Sequence, residues 1–427
     1  MKKLFLILII MLFSQFLALT PFIVKADQAI IRVPADRSSI QSAIDVASPG
    51  SIILVSSGIY YEYLLVNKSI ILVGEDKATT VIDGNGTGIV MHIKANNVTV
   101  NGFTMRNGQK SIYLEQSNFS TISNNILTLN GWQGIVLDKS FNNFIDGNLI
   151  LRNGNANPGL SYGEGITLQL SNNNTIINNV VSWNVVCDVL LHSSCFNRIV
   201  NNTMEKSVNG VAMENESKNN TIHHNNFIWN NAHVEFYEDS VLLLQNFWDD
   251  GAEGNYWDDF IGLDNGNSSR VAGDGVGDTN LPHLGVDYYP LITPRNPIPT
   301  VWETNIYPVT LLSNSTVSLF RFIQSEKKIT FTVRGPPDTI GYCNLTIPKN
   351  LLQDNPWKIL LNTTNITPQS TITENQTHTT IHFTYTHSAY NIQIIGTWVV
   401  PEFPPYNALI LALALTLILA LLKRKTK

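Results

Sequence analysis

Polar or aromatic residues with a hydrogen-bonding side chain recur at a nearly fixed spacing through the middle of the sequence. Each is the last residue of a short segment in which apolar residues occupy alternate positions. The six residues are Glu115, Asp138, Gln169, His192, Glu214 and Tyr237, separated by 23, 31, 23, 22 and 23 positions. If the segments stack as neighbouring strands, adjacent members of this row lie about 5 Å apart. The sequence therefore predicts one face of polar groups, which we name the outward stripe, as the ligand-binding surface.

Glu115 and Asp138 are the candidate catalytic pair on the outward stripe. Two carboxylates about 5 Å apart have the separation that retaining glycosidases use. Any two acids on adjacent strands acquire this spacing, so the alternative is that they keep the sheet soluble and discourage edge pairing. The sequence leaves catalysis, binding without catalysis and a purely structural role open.

Aromatic residues near the outward stripe indicate how a ligand would be held. The longest interruption of the repeat, residues 155–164, would overhang the stripe and contains Tyr162. Three more aromatic residues lie near predicted corners of the chain: Trp132, Trp183 and Trp229. These side chains could stack on sugar rings. In the alternative interpretation they are shallow core residues.

A repeat of about 23 residues must position these side chains. Its two clearest columns are Ile122, Ile145, Ile176, Ile199 and Ile222, and Asn125, Asn148, Asn179, Asn202 and Asn225. Three strands of about four residues with three corners fit this period, whereas a helical solenoid needs a longer period and 3.6-residue spacing. We therefore expect an all-β, right-handed parallel β-helix. The asparagines should form a corner ladder, because asparagine tolerates a left-handed backbone and its amide can bond the coils above and below.

The N-terminal part of this region supports the same architecture. Residues 38–47 have helical apolar spacing, so we expect a short amphipathic helix that caps the first coil. Three phrases follow, namely Gly58-Ile-Tyr-Tyr-Glu62, Lys68-Ser-Ile-Ile-Leu-Val-Gly-Glu75 and Ile82-Asp-Gly84. Together with the Asn-Asn repeats, they resemble the right-handed β-helix proteins of the NosD-like group over roughly residues 27–290.

The resemblance implies functions that the residues match only in part. The group is named for a periplasmic factor in copper-site assembly of nitrous oxide reductase, and its fold is shared with polysaccharide lyases and hydrolases. Copper delivery would need clustered Met, Cys or His ligands. His223 and His224 are the only adjacent histidines, and as neighbours on one strand they should point to opposite faces. The outward stripe also lacks the Arg/Lys-plus-Asp cluster of pectate lyases and the adjacent Asp pair of polygalacturonases.

A calcium site is a further implication of the resemblance, at the end of the β-helix. This region resembles a compact calcium loop in relatives, and here Asp264, Asp274 and Asp278 could supply oxygen ligands. Residues 265–272 loosen the loop, and the alternative is a Gly- and Asp-rich turn that ends the helix. Calcium is the only cofactor that the sequence indicates.

The chain ends predict an exported protein held at the extracellular face of the cell membrane. The predicted segments are a signal peptide (1–26), the β-helix (27–293), a linker (294–300), a β-sandwich-like stalk (301–398) and a terminal segment (399–427). The terminal segment combines Pro401-Glu-Phe403, an apolar run and a basic tail. It resembles the archaeal Pro-Glu-Phe sorting signal, which implies an archaeosortase-type processing enzyme. The alternative is a single transmembrane anchor with a cytoplasmic basic tail.

Charge and cysteine content exclude other classes of protein. A formal net charge of −6 argues against a nucleic-acid partner. Cys187, Cys195 and Cys343 are too few for a disulfide framework, and the first two lie too far apart along a strand to bridge, so we expect free, buried thiols. The sequence favours a surface protein that binds extracellular polysaccharide. Its alternatives are a polysaccharide lyase or glycoside hydrolase, a structural surface-layer or adhesion protein, and a copper-related maturation factor.

Overall fold

The structure, a computed structural model, describes residues 29–154, 162–236, 245–353 and 356–400. The predicted signal peptide, the Pro-Glu-Phe motif with the apolar run and basic tail, and Tyr237 of the outward stripe lie outside these residues. None of the helices found within the described ranges has the length and apolar character needed to span a membrane. The predicted anchor therefore stays a prediction.

Parallel strands of three sheets form the first part of the chain. Sheet A contains β1 (Ile30–Val33), β2 (Ile52–Val55), β5 (Ile71–Gly74), β8 (Thr99–Asn101), β11 (Thr121–Ser123), β14 (Phe144–Asp146), β17 (Thr175–Ile177), β20 (Arg198–Val200) and β23 (Thr221–His223). Sheet B contains β3 (Gly58–Tyr60), β6 (Thr80–Asp83), β9 (Thr104–Arg106), β12 (Ile126–Thr128), β15 (Leu149–Leu151), β18 (Val180–Ser182), β21 (Thr203–Glu205), β24 (Asn226–Ile228) and β26 (Tyr256–Trp257). Sheet C contains β4 (Leu64–Val66), β7 (Ile89–Ile93), β10 (Lys110–Glu115), β13 (Gln133–Asp138), β16 (Ile166–Gln169), β19 (Cys187–His192), β22 (Asn209–Glu214) and β25 (Ala232–Phe236). Neighbours within each sheet come from successive coils, so the predicted parallel β-helix with three strands per coil is confirmed.

The isoleucine column is the clearest test of the predicted register. Ile122 pairs with Ile145, and the pairing continues through Ile176 and Ile199 to Ile222. All five side chains are fully buried in one continuous core. Burying one such side chain contributes about 2 kcal/mol, so the stack fixes the register of the coils strongly.

The asparagine ladder is also confirmed, although its backbone geometry differs from the expectation. Asn148 Nδ2 donates to the carbonyl oxygen of Ile122 (2.9 Å) and to Oδ1 of Asn179 (3.0 Å), so each rung joins the coil below to the coil above. The left-handed backbone belongs to the residue before each rung, namely Asn124, Gly147, Asn178, Asn201 and His224. The ladder asparagines satisfy buried backbone groups at the corner, while the residues before them, exposed except for the half-buried His224, make the turn.

The predicted capping helix is α1 (Ile40–Val46). Ser39 is its N-cap and accepts a hydrogen bond from the backbone N–H of Ser42, in a capping box. Ile40, Ala43 and Ile44 are buried against the first coil. The helix therefore covers the open end of the core, as the apolar spacing predicts.

Two antiparallel sheets with a shared core form the second part of the chain. Sheet D contains β27 (Ile298–Trp302), β28 (Asn305–Ser313), β31 (Ile340–Pro348), β35 (Thr371–Glu374) and β36 (His378–Thr386). Sheet E contains β29 (Thr316–Ile323), β30 (Lys328–Arg334), β33 (Lys358–Leu361), β34 (Thr364–Asn365) and β37 (Tyr390–Ile395). The second part of the chain also contains a short pair of strands, β32 (Leu352–Gln353) and β38 (Trp398–Val399), and two 3₁₀ turns, at Gln324–Glu326 and Thr367–Gln369.

The junction between the two parts is packed. Strand β27 begins at Ile298, inside the predicted linker, and Val301 packs against the outer face of sheet B at Ile126 and Leu149. The backbone N–H of Val317 donates to the carbonyl oxygen of Ile292 (2.7 Å). The outer face of sheet B is apolar where Val301 packs. This face would otherwise be exposed to water, which explains the contact.

The three cysteines are free, as predicted, and Cys187 and Cys343 are buried. The expectation of burial was wrong for Cys195, which is partly exposed because it precedes the left-handed corner at Phe196. Burial is the main cause that raises the pKa of the Cys187 and Cys343 thiols, to about 11 for Cys343. Both thiols are therefore protonated at neutral pH and act as small core residues.

Candidate functional site

The outward stripe forms at the ends of the sheet C strands. Paired positions run from Glu115 to Asp138, Gln169, His192 and Glu214. The parallel register therefore brings the five described members of the stripe into one row. Their side-chain contacts divide the row into two halves with different surroundings.

Glu115 and Asp138 occupy neighbouring strands, and each is engaged by other side chains. Glu115 Oε2 lies 3.0 Å from Lys94 Nζ and 2.8 Å from His92 Nε2. Lys94, and to a smaller extent His92, lowers the pKa of Glu115, so this carboxylate stays ionised. Asp138 Oδ2 accepts a hydrogen bond from the Tyr113 hydroxyl (2.9 Å). Glu115 therefore does not have the raised pKa that the general acid of a glycosidase requires.

The second half of the stripe lines a groove of about 590 Å³, which we name the sheet C groove. Its lining residues are Gln133, Tyr162, Glu164, Thr167, Gln169, Val186, Leu190, His192 and Glu214. His192 Nδ1 lies 2.6 Å from Glu214 Oε1, so the two polar groups form one pair in the groove. Tyr162 is at the end of the predicted overhanging insertion, whose residues 155–161 lie outside the described ranges.

An aromatic platform adjoins the sheet C groove. Tyr162 and Trp132 stack with ring centroids 5.2 Å apart, and His92 stacks on Tyr113 at 4.9 Å. Lys110 Nζ lies 4.7 Å from the Tyr113 ring centroid and 5.9 Å from that of Trp132. The five side chains form a half-exposed surface of rings around one cation. Rings of this kind can pack against the C–H faces of sugars.

Trp183 and Trp229 lie elsewhere. Both are exposed at left-handed corner positions, as predicted, but neither lines the sheet C groove. Lys206 Nζ lies between them, 5.8 Å and 6.0 Å from their ring centroids. These two residues therefore belong to a separate surface.

Glu164 is the acidic residue of the groove that the sequence did not single out. Its side chain is buried, and burial is the largest cause that raises its pKa, while the charge of Glu214 adds to the effect. The backbone N–H of Gly163 donates to Glu164 Oε2 (3.2 Å) and opposes the shift. The groove therefore contains a carboxyl group biased towards its protonated form, near a second carboxylate.

Two groove groups lack internal partners. Gln133 Oε1 and Thr167 Oγ1 are buried and have no hydrogen-bond partner among the described residues. Thr167 could have been found from the sequence, because it lies two positions before Gln169 and so faces the same side of the strand. Tyr113 follows the same rule relative to Glu115. Glu164 could also have been found, because it lies two positions before Ile166, as Gln133 lies two positions before Ile135 in the preceding coil.

The predicted calcium ligands serve as turn acceptors. Asp264 accepts the backbone N–H groups of Gly273 (2.6 Å) and Gly275 (2.8 Å). Arg270 Nη2 lies 2.6 Å from Asp274, and its Nε lies 3.8 Å from Asp278. Within the described ranges, these carboxylates do not belong to any group of three metal-ligating side chains with donor atoms within 4.8 Å of one another. The Arg270 guanidinium supplies a positive charge beside Asp274 and Asp278, and the calcium site stays a prediction.

His223 and His224 differ from the arrangement that the sequence predicts. His223 ends β23, but His224 has a φ of +59° at the following corner, so the alternation of a strand stops between them. Their ring centroids lie 4.4 Å apart in an edge-to-face arrangement. The prediction that they point to opposite faces was wrong because the corner begins one residue earlier than the sequence pattern indicates.

Solved structures with similar architecture include several proteins that act on polysaccharides. The catalytic domain of a GH87 α-1,3-glucanase in complex with nigerose is 16% identical, with a TM-score of 0.39, over 47% of this chain and 39% of that one. An alginate lyase from Paenibacillus is 16% identical, with a TM-score of 0.30, over 46% of this chain and 92% of that one. These similarities are too low to carry an argument about function.

Curated relatives are more informative about the family. A cell surface glycoprotein of Methanothermus fervidus is 26% identical over 305 residues, which covers 52% of this chain and 51% of that protein. A probable ABC transporter binding protein NosD of Stutzerimonas stutzeri is 32% identical over 139 residues, covering 32% of this chain and 26% of that protein. The chain thus spans about half of the first relative and about a quarter of the second. Because the model of the family described as periplasmic copper-binding protein (NosD) matches residues 42–262, more than half of this sequence, the chain belongs to the NosD family.

Proposed function

We propose that this protein acts outside the cytoplasm as a cell-surface protein and binds an extracellular polysaccharide along sheet C. The observation that carries the proposal is the continuity of the aromatic platform with the sheet C groove through Tyr162. Rings on one side and hydrogen-bonding groups on the other match the two faces of a sugar residue. The cell-surface location is supported by the name of the Methanothermus relative and by the periplasmic description of the family.

The polar groups of the groove favour a ligand rich in hydroxyl groups. Gln133 Oε1 and Thr167 Oγ1 are buried and have no hydrogen-bond partner within the part of the chain that the structure describes, and an unsatisfied buried polar group costs about 1–3 kcal/mol. A sugar hydroxyl can donate a hydrogen bond to Gln133 Oε1. It can either donate a hydrogen bond to the Thr167 hydroxyl or accept one from it. A ligand hydroxyl that reaches these atoms would supply the missing hydrogen bonds.

The charges of the site favour a neutral or weakly charged polymer. Glu164 and Glu214 line the groove, whereas Lys110 lies on the platform and His192 pairs with Glu214. A strongly acidic polymer would meet the groove carboxylates, and a strongly basic one would meet Lys110. Neither sign of charge dominates the whole surface.

Replacement of Trp132 by alanine is expected to weaken polysaccharide binding at least tenfold, because the platform loses the ring that supports Tyr162. Binding of the full chain to an array of neutral and acidic polysaccharides measures the effect. Phe144→Ala is the matched control, because Phe144 is exposed on sheet A of the same coils and outside the groove. Equal loss in both variants, or no binding by the unaltered chain, would favour a purely structural surface protein.

A glycan lyase or hydrolase is the second candidate, and Glu164 is the observation that favours it. A carboxyl group with a raised pKa and a neighbouring carboxylate are the two groups that glycoside hydrolysis requires. In this candidate Glu164 donates the proton to the leaving oxygen, and Glu214 supplies the second carboxylate. The Glu115 and Asp138 pair is less suited, because Glu115 is held in its ionised form.

The enzyme candidate predicts slow release of reducing ends from a polysaccharide that the array identifies as bound. Glu164→Gln should abolish product while leaving binding within about threefold, since the amide keeps the size of the side chain but cannot donate an acid proton. Reducing-end assay and affinity are measured on the same preparations. Binding without product in the unaltered chain would leave the protein as a binding module.

A further inference from the structure

Two exposed tryptophans occupy the same position of the repeat, two coils apart, at the corner between sheets B and C. Each follows the last residue of a sheet B strand, and these strands pair in register from coil to coil. We name the five residues at this position the corner row: Leu129, Arg152, Trp183, Lys206 and Trp229. All five have a left-handed backbone, with φ between +54° and +58°. Neighbouring strands lie about 4.8 Å apart, so the two tryptophans start about 10 Å apart.

A lysine between the tryptophans restrains their rings. Lys206 Nζ lies 5.8 Å from the Trp183 ring centroid and 6.0 Å from that of Trp229. Glu205 Oε1 lies 3.0 Å from this ammonium group and accepts a hydrogen bond from the Ser182 hydroxyl (3.1 Å). The Lys206 and Glu205 side chains are nearly buried, so the ion pair fixes the cation between the rings. Because a cation attracts the face of an aromatic ring, both rings are held in place before any ligand binds.

The ring surfaces are exposed, whereas the cations around them are paired. Trp183 exposes 48% and Trp229 exposes 40% of its surface. The Arg321 guanidinium lies 4.9 Å from the Trp229 ring centroid and contacts Asp258. Lys206 and Arg321 are thus both neutralised by carboxylates. The surface between them therefore offers apolar rings to a ligand rather than a net charge, and fixed exposed rings are typical of interaction sites.

The spacing of the rings favours a carbohydrate chain as the occupant. Indole rings pack against the C–H faces of sugar rings. An extended β-1,4-linked polysaccharide turns each sugar over relative to the one before it, so equivalent faces recur at every second sugar, which matches a spacing of about 10 Å over two coils. Arg152 is exposed one coil before Trp183, where its guanidinium can donate hydrogen bonds to sugar hydroxyl groups. A folded protein partner has no such period.

We propose that the corner row binds a neutral, extended polysaccharide with β-1,4 linkages, with alternate sugar rings stacked on Trp183 and Trp229. The bound chain runs along the axis of the β-helix, across successive coils. This site is separate from the sheet C groove and does not depend on polysaccharide binding there. A molecule with both sites holds two chains, or two segments of one chain, and gains avidity from the second contact.

Titration of the full chain with cellohexaose and, separately, with chitohexaose tests the proposal. Maltohexaose is the control for geometry, because its α-1,4 linkages curve the chain. The unaltered chain and the Trp132→Ala variant are both titrated, since the variant lacks the aromatic platform beside the sheet C groove. In both proteins at least one of the two β-1,4-linked hexamers should bind and change the tryptophan fluorescence, and maltohexaose should bind at least tenfold more weakly. Loss of all binding in Trp132→Ala would assign the binding to sheet C and overturn the proposal.

Variants of the corner row locate the binding site. In the Trp132→Ala background, Trp183→Ala and Trp229→Ala should each weaken binding of the hexamer at least tenfold. Trp183→Tyr keeps a ring and should stay within about fivefold, which covers the case in which the alanine variant does not fold. Leu129→Ala is the matched control, because Leu129 is exposed in the same row with the same left-handed backbone, and it should change the affinity less than twofold.

Three results would overturn the proposal. The first is failure of both β-1,4-linked hexamers to bind, and the second is an equal loss of affinity in the tryptophan and Leu129 variants. The third is self-association of the unaltered chain, measured by analytical ultracentrifugation, that Trp229→Ala abolishes, because it would assign the corner row to a second copy of this chain.

Discussion

Replacement of Asn202 by glycine is expected to lower the free energy of unfolding by about 4 kcal/mol, because several buried groups lose their partners together. Asn202 Oδ1 accepts from the backbone N (2.9 Å) and from Nδ2 (3.0 Å) of Asn179. Its Nδ2 donates to the carbonyl oxygens of Ile176 and Val200, both at 2.9 Å, and to Asn225 Oδ1 at 3.1 Å. Urea unfolding of the full chain, followed by circular dichroism, measures the loss.

The preceding residue provides a matched control for this prediction. Asn201 is exposed and has a φ of +54°, a conformation that glycine adopts without strain. Asn201→Gly should therefore change the free energy of unfolding by no more than about 0.5 kcal/mol. Similar losses for the two variants would mean that the ladder bonds do not stabilise the coils.

Stability is expected to fall by about 3 kcal/mol between pH 6.5 and pH 9, through His233. Burial opposes its protonation, but hydrogen bonds to Asp258 (3.0 Å) and Asp259 (3.4 Å) outweigh burial and raise the pKa of His233 to about 9. The folded pKa is above the unfolded value, so the stabilisation is complete below about pH 6.5. Above pH 6.5 only the folded state still holds this proton, so the stabilisation decreases as the pH rises. The stabilisation is lost once the pH has passed about 9, where the folded state also releases the proton.

Other charged groups face the same cluster. Arg321 contacts Asp258 from the second part of the chain, and His283 lies 3.0 Å from Asp259. The backbone N–H of Trp229 also donates to Asp258 (2.8 Å). Asp258 therefore keeps partners when His233 is neutral, and the pH effect should weaken the junction between the two parts without abolishing the fold.

His233→Gln tests this assignment. Glutamine can still donate to Asp258 but has no charge, so the variant should be about 3 kcal/mol less stable than the unaltered chain at pH 6 and nearly equal to it at pH 9. His382→Gln is the control, because His382 is exposed and makes no contact with a carboxylate that the structure describes. Thermal unfolding across this pH range is the measurement, and a slope that persists in His233→Gln would contradict the role of His233.

The sequence by itself determined the architecture of the first part of the chain. Ile122, Ile145 and Ile176 share one position in a fixed period, and a parallel β-helix is the arrangement that buries them all. The ladder was predicted in the same way, because Asn125, Asn148 and Asn179 also share one position in the period. Local periodicity suffices here because each coil contacts mainly its two neighbours.

Tertiary structure alone decided which polar residues act together. Asp250 reaches His224 from a turn outside the repeat, so no spacing in the sequence connects these two residues. Glu164 shares the repeat register of Gln133, but only the folded structure buries its side chain and thereby raises its pKa. Conversely, Glu115 belongs to the predicted row, but Lys94, just after the neighbouring strand β7, and His92 within that strand hold it in its ionised form. A repeat fixes where backbones lie, whereas the pKa and the ligands of a side chain depend on groups that long-range folding places beside it.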